Sequence, residues 1–332
     1  MKRKHISLLL ALLVLALLAA SIWVWQRNGA YGFNVLMRRG GTYWIKMGAD
    51  DASLPPSMRE ALKDTVPPVT AGQFYWREFE PGFEVTEMPV LLPGGEVDRI
   101  LLNRIDPKRF RFVMRSAPEG DKGLDEWERA LPSAVLIVNG SYLGLKGKPD
   151  TPFISEGEQL GPRQYEARAG AFVAREDGSA GVRDLTQAKW QDALAGARNA
   201  MVSYPLLLGE DGQTHVNVKS RWLANRTFVA QDRSGRILVG TTREAFFSLD
   251  RLASFLKDAP LDLTLALNLD GGPIACQSVR LHGFQRKFYA QWEAQVREDA
   301  PKGAEVSLLR WPFAQATWAM PVVLTVERVR KT

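Results

Sequence analysis

The chain has 332 residues, a formal net charge of +6, one cysteine and three histidines. A single cysteine excludes an intrachain disulfide, and so few histidines exclude a Cys/His zinc cluster. Lys2, Arg3, Lys4 and Arg27 supply four of the six positive charges, so the rest of the chain carries only +2, which argues against a nucleic acid partner.

The N-terminus combines a basic tip with an apolar run. Residues 2–4 precede an uncharged stretch from Ile6 to Trp25, about 20 residues, which is long enough for a transmembrane helix. The basic tip should stay in the cytoplasm. Cleavage of a signal peptide at Ala19-Ala20-Ser21 is the alternative, but apolar residues continue past it. We predict a cytoplasmic tip and signal anchor over residues 1–27, with a single pass through a bacterial inner membrane and the bulk of the chain in the periplasm or outside the cell.

The next segment, residues 28–95, has weak periodicity and repeated Pro and Gly breakers, such as Leu54-Pro55-Pro56 and Pro93-Gly94-Gly95. Such breakers interrupt regular elements. We predict a juxtamembrane spacer here, with a short helix near Ser57 to Lys63. The remaining residues, 96–330, are predicted to form the functional domain.

Strand-like runs outnumber helices in that domain. Arg99–Ile105 and Arg109–Met114 flank Asp106-Pro107 and predict a hairpin or a sharply bent strand pair. Asp-Gly and Asp-x-x-Gly turns predict two hairpins further on, at residues 171–182 and 227–239. Helices are expected at residues 124–131 and 248–257, and the polar stretch 283–304 is expected to be a surface insertion. The fold class is α+β, a mixed, largely antiparallel sheet with packed helices, preceded by one N-terminal transmembrane helix.

Three strand ends carry polar residues beside glycine: Val138-Asn139-Gly140-Ser141-Tyr142, Asn225-Arg226-Thr227, and Asn268-Leu269-Asp270-Gly271-Gly272. If they converge, Arg226 offers a donor fork for phosphate or carboxylate, and Asn139 can bond sugar hydroxyls. Asp270 can act as base, nucleophile or metal ligand. The combination suits an anionic, hydroxyl-rich ligand. Ordinary turn and ion-pair roles are the alternatives for Asp270 and Arg226.

The order of these motifs resembles the phosphodiester glycosidase family. That family has Asn-Gly-Gly-aromatic after a strand, Ser-Gly-Gly-Pro with an aliphatic run, Arg-Thr opening a strand, a helix, and then Asn-Leu-Asp-Gly-Gly. This chain has Asn139-Gly140-Ser141-Tyr142, Val202-Ser203-Tyr204-Pro205, Arg226-Thr227, the helix from Ser248, and Asn268–Gly272. The resemblance covers about Val97 to Val329. It departs at Ser203-Tyr204, where the family has Gly-Gly, and at Pro273–Cys276, where the family has Gly-Ser-Ser or Gly-Ser-Thr.

The resemblance implies hydrolysis of a sugar 1-phosphodiester, with Asp270, Arg226 and Asn139 as catalytic residues. The implied substrate-binding residues are Gly140, Tyr142, Thr227, Asn268, Gly271 and Gly272. Glycoside cleavage normally uses two carboxyl groups; for the second, Glu244, Glu166 and Asp262 are candidates. No cofactor is required by the sequence, although Asp270 and Asn268 would suit a calcium or magnesium ion.

Two other readings stay open because of the departures at residues 203–204 and 273. A non-catalytic envelope protein could bind a glycan or polymer in the same cleft. A structural envelope protein could use the same loops only to close the fold. The expected partners are a carbohydrate or sugar-phosphate substrate and the membrane, through the N-terminal helix.

Overall fold

The computed structural model describes residues 9–22, 43–52, 54–63, 65–117, 122–144, 147–166, 169–216, 220–290, 293–296, 306–310 and 318–329. Its α-helices are α1 (residues 9–22), α2 (Pro56–Ala61), α3 (Leu124–Ala130), α4 (Trp190–Leu194) and α5 (Leu249–Asp258). A 3-10 turn covers Gly272–Ile274.

The strands, in chain order, are β1 (Tyr43–Met47), β2 (Thr70–Ala71), β3 (Arg77–Glu80), β4 (Phe83–Leu92), β5 (Gly95–Ile105), β6 (Phe110–Ser116), β7 (Ala134–Asn139), β8 (Phe153–Ser155), β9 (Glu158–Gln159), β10 (Gly170–Ala174), β11 (Ala180–Asp184), β12 (Asn199–Ser203), β13 (Leu206–Leu208), β14 (Trp222–Ala224), β15 (Thr227–Asp232), β16 (Ile237–Thr242), β17 (Leu263–Asn268), β18 (Gln277–Leu281), β19 (Phe284–Phe288), β20 (Glu293–Val296), β21 (Val306–Arg310) and β22 (Val322–Arg328).

The chain divides into two compact units. The smaller unit comprises residues 1–53 and 294–316 and contains α1 and an antiparallel pair, β1 with β21. The membrane helix predicted over Ile6 to Trp25 is described only over residues 9–22, which are helical. Within the residues that the structure describes, no helix is long and apolar enough to span a membrane.

The larger unit, residues 54–293 and 317–332, contains three antiparallel sheets. One has the order β13-β17-β15-β16-β5-β4-β2, with β3 added on β4; the others are β19-β18-β7-β22-β6 and β11-β10-β12-β8-β9. The antiparallel pairing and the small share of helix agree with the predicted fold class. The prediction of one mixed sheet is wrong, because the strands of the larger unit are divided among separate sheets.

The core of the larger unit lies between these sheets. Strands β7, β10 and β12 are buried along their whole length, as expected for runs of apolar residues covered on both faces. Phe83, Phe112, Phe172, Val138 and Leu267 belong to one buried cluster that draws on all three sheets. Burial of this kind contributes about 1.5–3 kcal/mol per large apolar side chain. The core therefore fixes the strand ends that carry the polar motifs.

The structure departs from the predicted spacer over residues 28–95 and decides between the two alternatives for residues 99–114. Residues 54–95 lie in the larger unit, and β4 pairs with β5 along its length, so this part of the predicted spacer belongs to the sheet. Of the two alternatives for residues 99–114, the hairpin is absent and the sharply bent strand pair is present: β5 pairs with β4 and β16, whereas β6 pairs with β22. The chain bends sharply at residues 106–109 and passes from one sheet to another. The hairpins β10–β11 and β15–β16 are formed as expected.

Candidate functional site

The three polar strand ends meet where two sheets of the larger unit join. Asn139 ends β7, and its side-chain amide donates a hydrogen bond of 2.6 Å to the backbone carbonyl of Asp270, after β17. Thr227, at the start of β15, donates from its hydroxyl to Oδ1 of Asn139 at 2.7 Å. The backbone N–H of Asp270 donates to the carbonyl of Gly140 at 3.1 Å. The structure therefore brings Asn139, Thr227 and Asp270 together.

Asn139 and Thr227 are both fully buried. Their polar groups are engaged with each other and with the backbone of Asp270. Buried amides and hydroxyls without partners are costly, so these bonds lock the two strand ends together. We interpret Asn139 and Thr227 as positioning residues for Asp270. The sequence-based expectation that Asn139 is catalytic and that Thr227 binds the substrate stays a prediction.

Gly140, directly after β7, allows the backbone to pass close to the neighbouring strand β22 of the same sheet. A Cβ at this position would lie 2.6 Å from Cγ1 of Val322 on the neighbouring strand β22, closer than side-chain carbons come in proteins. The backbone N–H of Gly140 donates to the carbonyl of Val322 at 2.8 Å. The glycine is therefore required for packing, apart from any contact with a ligand.

Asp270 stands at the open side of this arrangement, partly exposed. Its Oδ1 accepts the backbone N–H of Gly271 at 2.8 Å. Gly271 lies under Arg226: a Cβ on Gly271 would be 3.3 Å from Nη1 of Arg226 and 3.0 Å from the carbonyl oxygen of Asn225. The glycine thus lets the backbone after Asp270 pass close to the guanidinium.

Arg226 is almost completely buried, at 6% exposed. Its Nε donates to the carbonyl of Phe247 at 3.1 Å, and Nη2 donates to the carbonyl of Trp222 at 2.7 Å. Burial lowers the pKa of its guanidinium, and the charges of Asp270 and Glu293 act in the opposite direction. Arginine keeps its charge at all ordinary pH values. Arg226 therefore supplies a fixed positive charge that acts together with the carboxylates of Glu293, Asp270 and Asp250, and it holds the backbone carbonyls of Phe247 and Trp222.

Tyr142, Tyr204 and Asn268 form a second group at the site. The rings of Tyr142 and Tyr204 are stacked, with centroids 4.2 Å apart and planes 15° apart. The side-chain amide of Asn268 donates to the hydroxyl of Tyr142 at 2.8 Å and to the carbonyl of Tyr204 at 3.1 Å. Burial raises the pKa of Tyr142, so its hydroxyl stays protonated. Within the described residues, Oδ1 of Asn268 is buried without a hydrogen-bond partner.

The departure from the family pattern at Ser203-Tyr204 falls inside this group. Ser203 is fully buried, whereas Tyr204 is 37% exposed and covers one face of Tyr142. A ring therefore fills space that the glycine pair of the resembling family would leave empty. The other expected departure, Pro273, is buried in the 3-10 turn that follows Asp270.

Glu293 is a site residue that the sequence did not single out. The indole N–H of Trp222 donates to Oε1 of Glu293 at 2.5 Å. A Cβ on Gly272, which has a φ of +68°, would lie 3.0 Å from Oε2 of Glu293. Glu293 belongs to the polar stretch expected to be a surface insertion, and no glycine or turn motif beside it gives a local signal.

The three carboxylates suggested by the sequence have other neighbours. The backbone N–H of Glu244 donates to Asp98, and its side chain lies 3.5 Å from Nε of Arg243. Asp262 forms an exposed pair with Arg233 at 3.0 Å. Glu166 is exposed at the surface.

The described residues offer neither a metal-binding cluster nor an accessible thiol for catalysis. Among the described residues, no group of three or more His, Cys, Asp and Glu side chains could hold a metal ion. Cys276 is fully buried, and burial raises its pKa to about 12, so the thiol remains protonated at neutral pH. A protonated, inaccessible thiol is a poor nucleophile.

Comparisons with known proteins extend this description. A family model described as phosphodiester glycosidase matches residues 132–299. The fold is similar to the zebrafish N-acetylglucosamine-1-phosphodiester alpha-N-acetylglucosaminidase catalytic domain, auto-inhibited by pro-peptide, with 14% identity, 87% of this chain and 89% of that chain covered, and a TM-score of 0.50. A hypothetical protein from Synechocystis is similar at 14% identity over 74% and 64% of the chains, with a TM-score of 0.46. No curated protein sequence matches this chain.

Proposed function

Since this chain belongs to the phosphodiester glycosidase family, we propose that it is a hydrolase that releases a sugar from a sugar 1-phosphodiester. The observation that carries the proposal is the placement of Asp270. Its carboxylate is partly exposed, held by the N–H of Gly271, and close to the buried charge of Arg226. Asn139 and Thr227 fix its backbone from behind. A preorganised carboxylate of this kind suits reaction at an anomeric carbon.

In the proposed reaction Asp270 is the nucleophile. One carboxylate oxygen forms a bond to the anomeric carbon while the bond from that carbon to the phosphate oxygen breaks. The bonding electron pair leaves with the phosphate, which departs as a phosphomonoester. Because phosphate is a weakly basic leaving group, this step needs no proton from the protein. The guanidinium of Arg226 offsets the negative charges of the substrate phosphate and of Asp270.

A second candidate function is glycan binding without turnover. The observation that favours it is the ring of Tyr204, which stacks on Tyr142. Tyr204 stands where the resembling family has the second glycine of its Gly-Gly pair. An exposed aromatic ring is a good platform for the apolar face of a sugar. In this alternative the cleft retains a glycan or polymer, and the carboxylate of Asp270 accepts hydrogen bonds from sugar hydroxyls.

We also propose that the N-terminal apolar segment holds the chain at a bacterial inner membrane, with its bulk in the periplasm or outside the cell. The support is the uncharged run from Ile6 to Trp25 behind a basic tip. Membrane fractionation of cells that express the full chain tests this. An anchored chain stays in the membrane pellet after an alkaline carbonate wash, whereas a cleaved or unanchored chain appears in the soluble fraction.

The test of the function is hydrolysis of a panel of sugar 1-(methyl phosphate) diesters by the full chain in detergent. The panel contains the N-acetylglucosamine, glucose, galactose and mannose compounds, each assayed with calcium, with magnesium and with a chelator. Asp270→Asn should reduce sugar release by at least about 10³-fold. Asp258→Asn, an exposed change at the end of α5, is the matched control and should match the wild type.

Three results separate the readings. Release that disappears in Asp270→Asn supports the hydrolase and identifies the sugar. Equal release from both proteins would contradict the role of Asp270. No release from any diester, together with retention of the wild-type protein on an immobilised glycan, would favour the binding protein.

A further inference from the structure

The strongest unassigned feature of the site is the carboxylate of Glu293. It opens β20, within a polar segment to which the sequence assigns no role, and it belongs to the same compact unit as Asp270 and Arg226. Its side chain is partly exposed. A carboxylate in this position has access to solvent and to the site at the same time.

Two contacts hold Glu293 toward the site. The indole N–H of Trp222 donates to Oε1 at 2.5 Å, which fixes one oxygen. The other oxygen, Oε2, lies over Gly272, where any side chain would approach within 3.0 Å of it. Gly272 also has a positive φ that side-chain-bearing residues rarely adopt. Gly272 therefore has two roles: it adopts the positive φ of the turn, and its lack of a side chain leaves space for the carboxylate of Glu293.

The charges of Glu293 and Asp270 both act on the buried guanidinium of Arg226, as does the charge of Asp250. All three charges favour the charged form of this guanidinium. Two carboxylates near one buried guanidinium are mutually tolerated because the cation offsets their repulsion. Because Glu293 lies over Gly272, two residues after Asp270, it supplies a second carboxyl group at the turn that carries Asp270, and glycoside cleavage normally uses two such groups.

We propose that Glu293 is the general base of the second half of the reaction, a role that rests on the hydrolase function proposed above. Glu293 takes one proton from a water molecule. The water oxygen forms a bond to the anomeric carbon as the bond from that carbon to Asp270 breaks, and the electron pair returns to the carboxylate of Asp270. The products are the free sugar, an ionised Asp270 and a protonated Glu293, which then loses its proton to solvent.

The base role follows from the chemistry of the two steps. The phosphate leaves without protonation, so the first step does not need an acid. Water is a poor nucleophile, so the second step needs a base. Removal of Glu293 should therefore slow only the second step, and the intermediate bound to Asp270 should accumulate.

The experiment uses Glu293→Gln in the full chain, with the diester that the wild type hydrolyses fastest. We expect kcat to fall by about 10²–10⁴-fold, the usual contribution of a general base. Intact-protein mass spectrometry should show an adduct with the mass of one sugar residue, and peptide mapping should place it on Asp270. Azide, which needs no deprotonation, should restore turnover and yield the glycosyl azide. Glu158→Gln, an exposed change on β9, is the matched control.

The outcomes separate this inference from the proposed function. A wild type without hydrolysis overturns the function, and the inference with it. An active wild type with an equally active Glu293→Gln variant overturns only the inference. A slow variant with neither adduct nor azide rescue, but with wild-type circular dichroism, also overturns it. If Glu293→Gln fails to fold, Glu293→Asp replaces it: the shortened base should lower kcat, leave KM within about twofold and respond to azide, and a variant indifferent to azide counts against the inference.

Discussion

The hydrogen bonds of Asn139 give a prediction that can be worked out from the structure. Asn139→Ala removes the bond to the carbonyl of Asp270 at 2.6 Å and the bond from the hydroxyl of Thr227 at 2.7 Å. The hydroxyl of Thr227 then keeps only the longer contact of 3.4 Å with the hydroxyl of Thr241, and the part-buried carbonyl of Asp270 loses its amide donor. Each unsatisfied group costs about 1–3 kcal/mol, so the loss of both bonds should cost the variant about 2–6 kcal/mol of unfolding free energy. Thr227→Val removes the second bond and the longer contact of 3.4 Å with the hydroxyl of Thr241, and it should lose about 1–3 kcal/mol.

The two variants form a double-mutant cycle. Because they share one bond, the double variant should be more stable than the sum of the single losses by about 0.5–1.5 kcal/mol. Urea unfolding followed by tryptophan fluorescence measures all four proteins. Losses that add within about 0.3 kcal/mol would refute the bond between Asn139 and Thr227.

The same variant separates positioning from ligand contact. If Asn139 only holds the backbone of Asp270, Asn139→Ala should lower kcat by about 10²-fold, the effect of a misplacement of about 1 Å, with KM nearly unchanged. A raised KM with an unchanged kcat would mean that Asn139 binds the substrate directly, as the sequence alone suggested.

Two further predictions concern Tyr204 and Asp98. Tyr204→Gly restores the family's glycine and uncovers Tyr142, so KM for the best diester should change by about 10-fold or more while kcat changes less; an unchanged KM would remove Tyr204 from the binding site. Asp98 is buried, and burial raises its pKa well above the usual value despite three backbone N–H donors. A raised pKa in the folded state means that stability is full at low pH and falls as the pH rises through that pKa. Asp98→Asn should therefore be more stable than the wild type at pH 8 and lose this advantage toward pH 4, as measured by urea midpoints; parallel midpoints across that range would contradict the shift.

Local signals account for the parts of the fold that the sequence predicted. The turn at Asp232 is an example: its carboxylate accepts the N–H groups of Ser234 and Arg236, which closes the hairpin β15–β16. Such turn chemistry is contained within a few residues. The division of β5 and β6 between two sheets could not be predicted in this way, because it depends on which distant strands each one meets.

In the candidate site, too, some residues could be predicted from local sequence and one could not. Asn139, Arg226 and Asp270 stand beside glycines or other polar residues at strand ends, so their residue types and their order along the chain are enough to predict a site. Glu293 has no such setting, because its place near Asp270 arises only when its side chain comes to lie over Gly272. Spacing along the chain carries no information about that approach.

Arg226 limits which variants can test the function. As an implied catalytic residue, Arg226 is an obvious position to substitute in order to distinguish an enzyme from a binding or structural protein. In the structure its guanidinium holds the carbonyls of Phe247 and Trp222 from a buried position, so its removal leaves buried acceptors unpaired and two carboxylates without their cation. Such a loss destabilises a fold by about 3–5 kcal/mol, and turnover and glycan retention would disappear together whatever the function. Asp270→Asn and Glu293→Gln keep the shape of the site and change only its charge. They can therefore separate chemistry from folding, which no substitution of Arg226 can do.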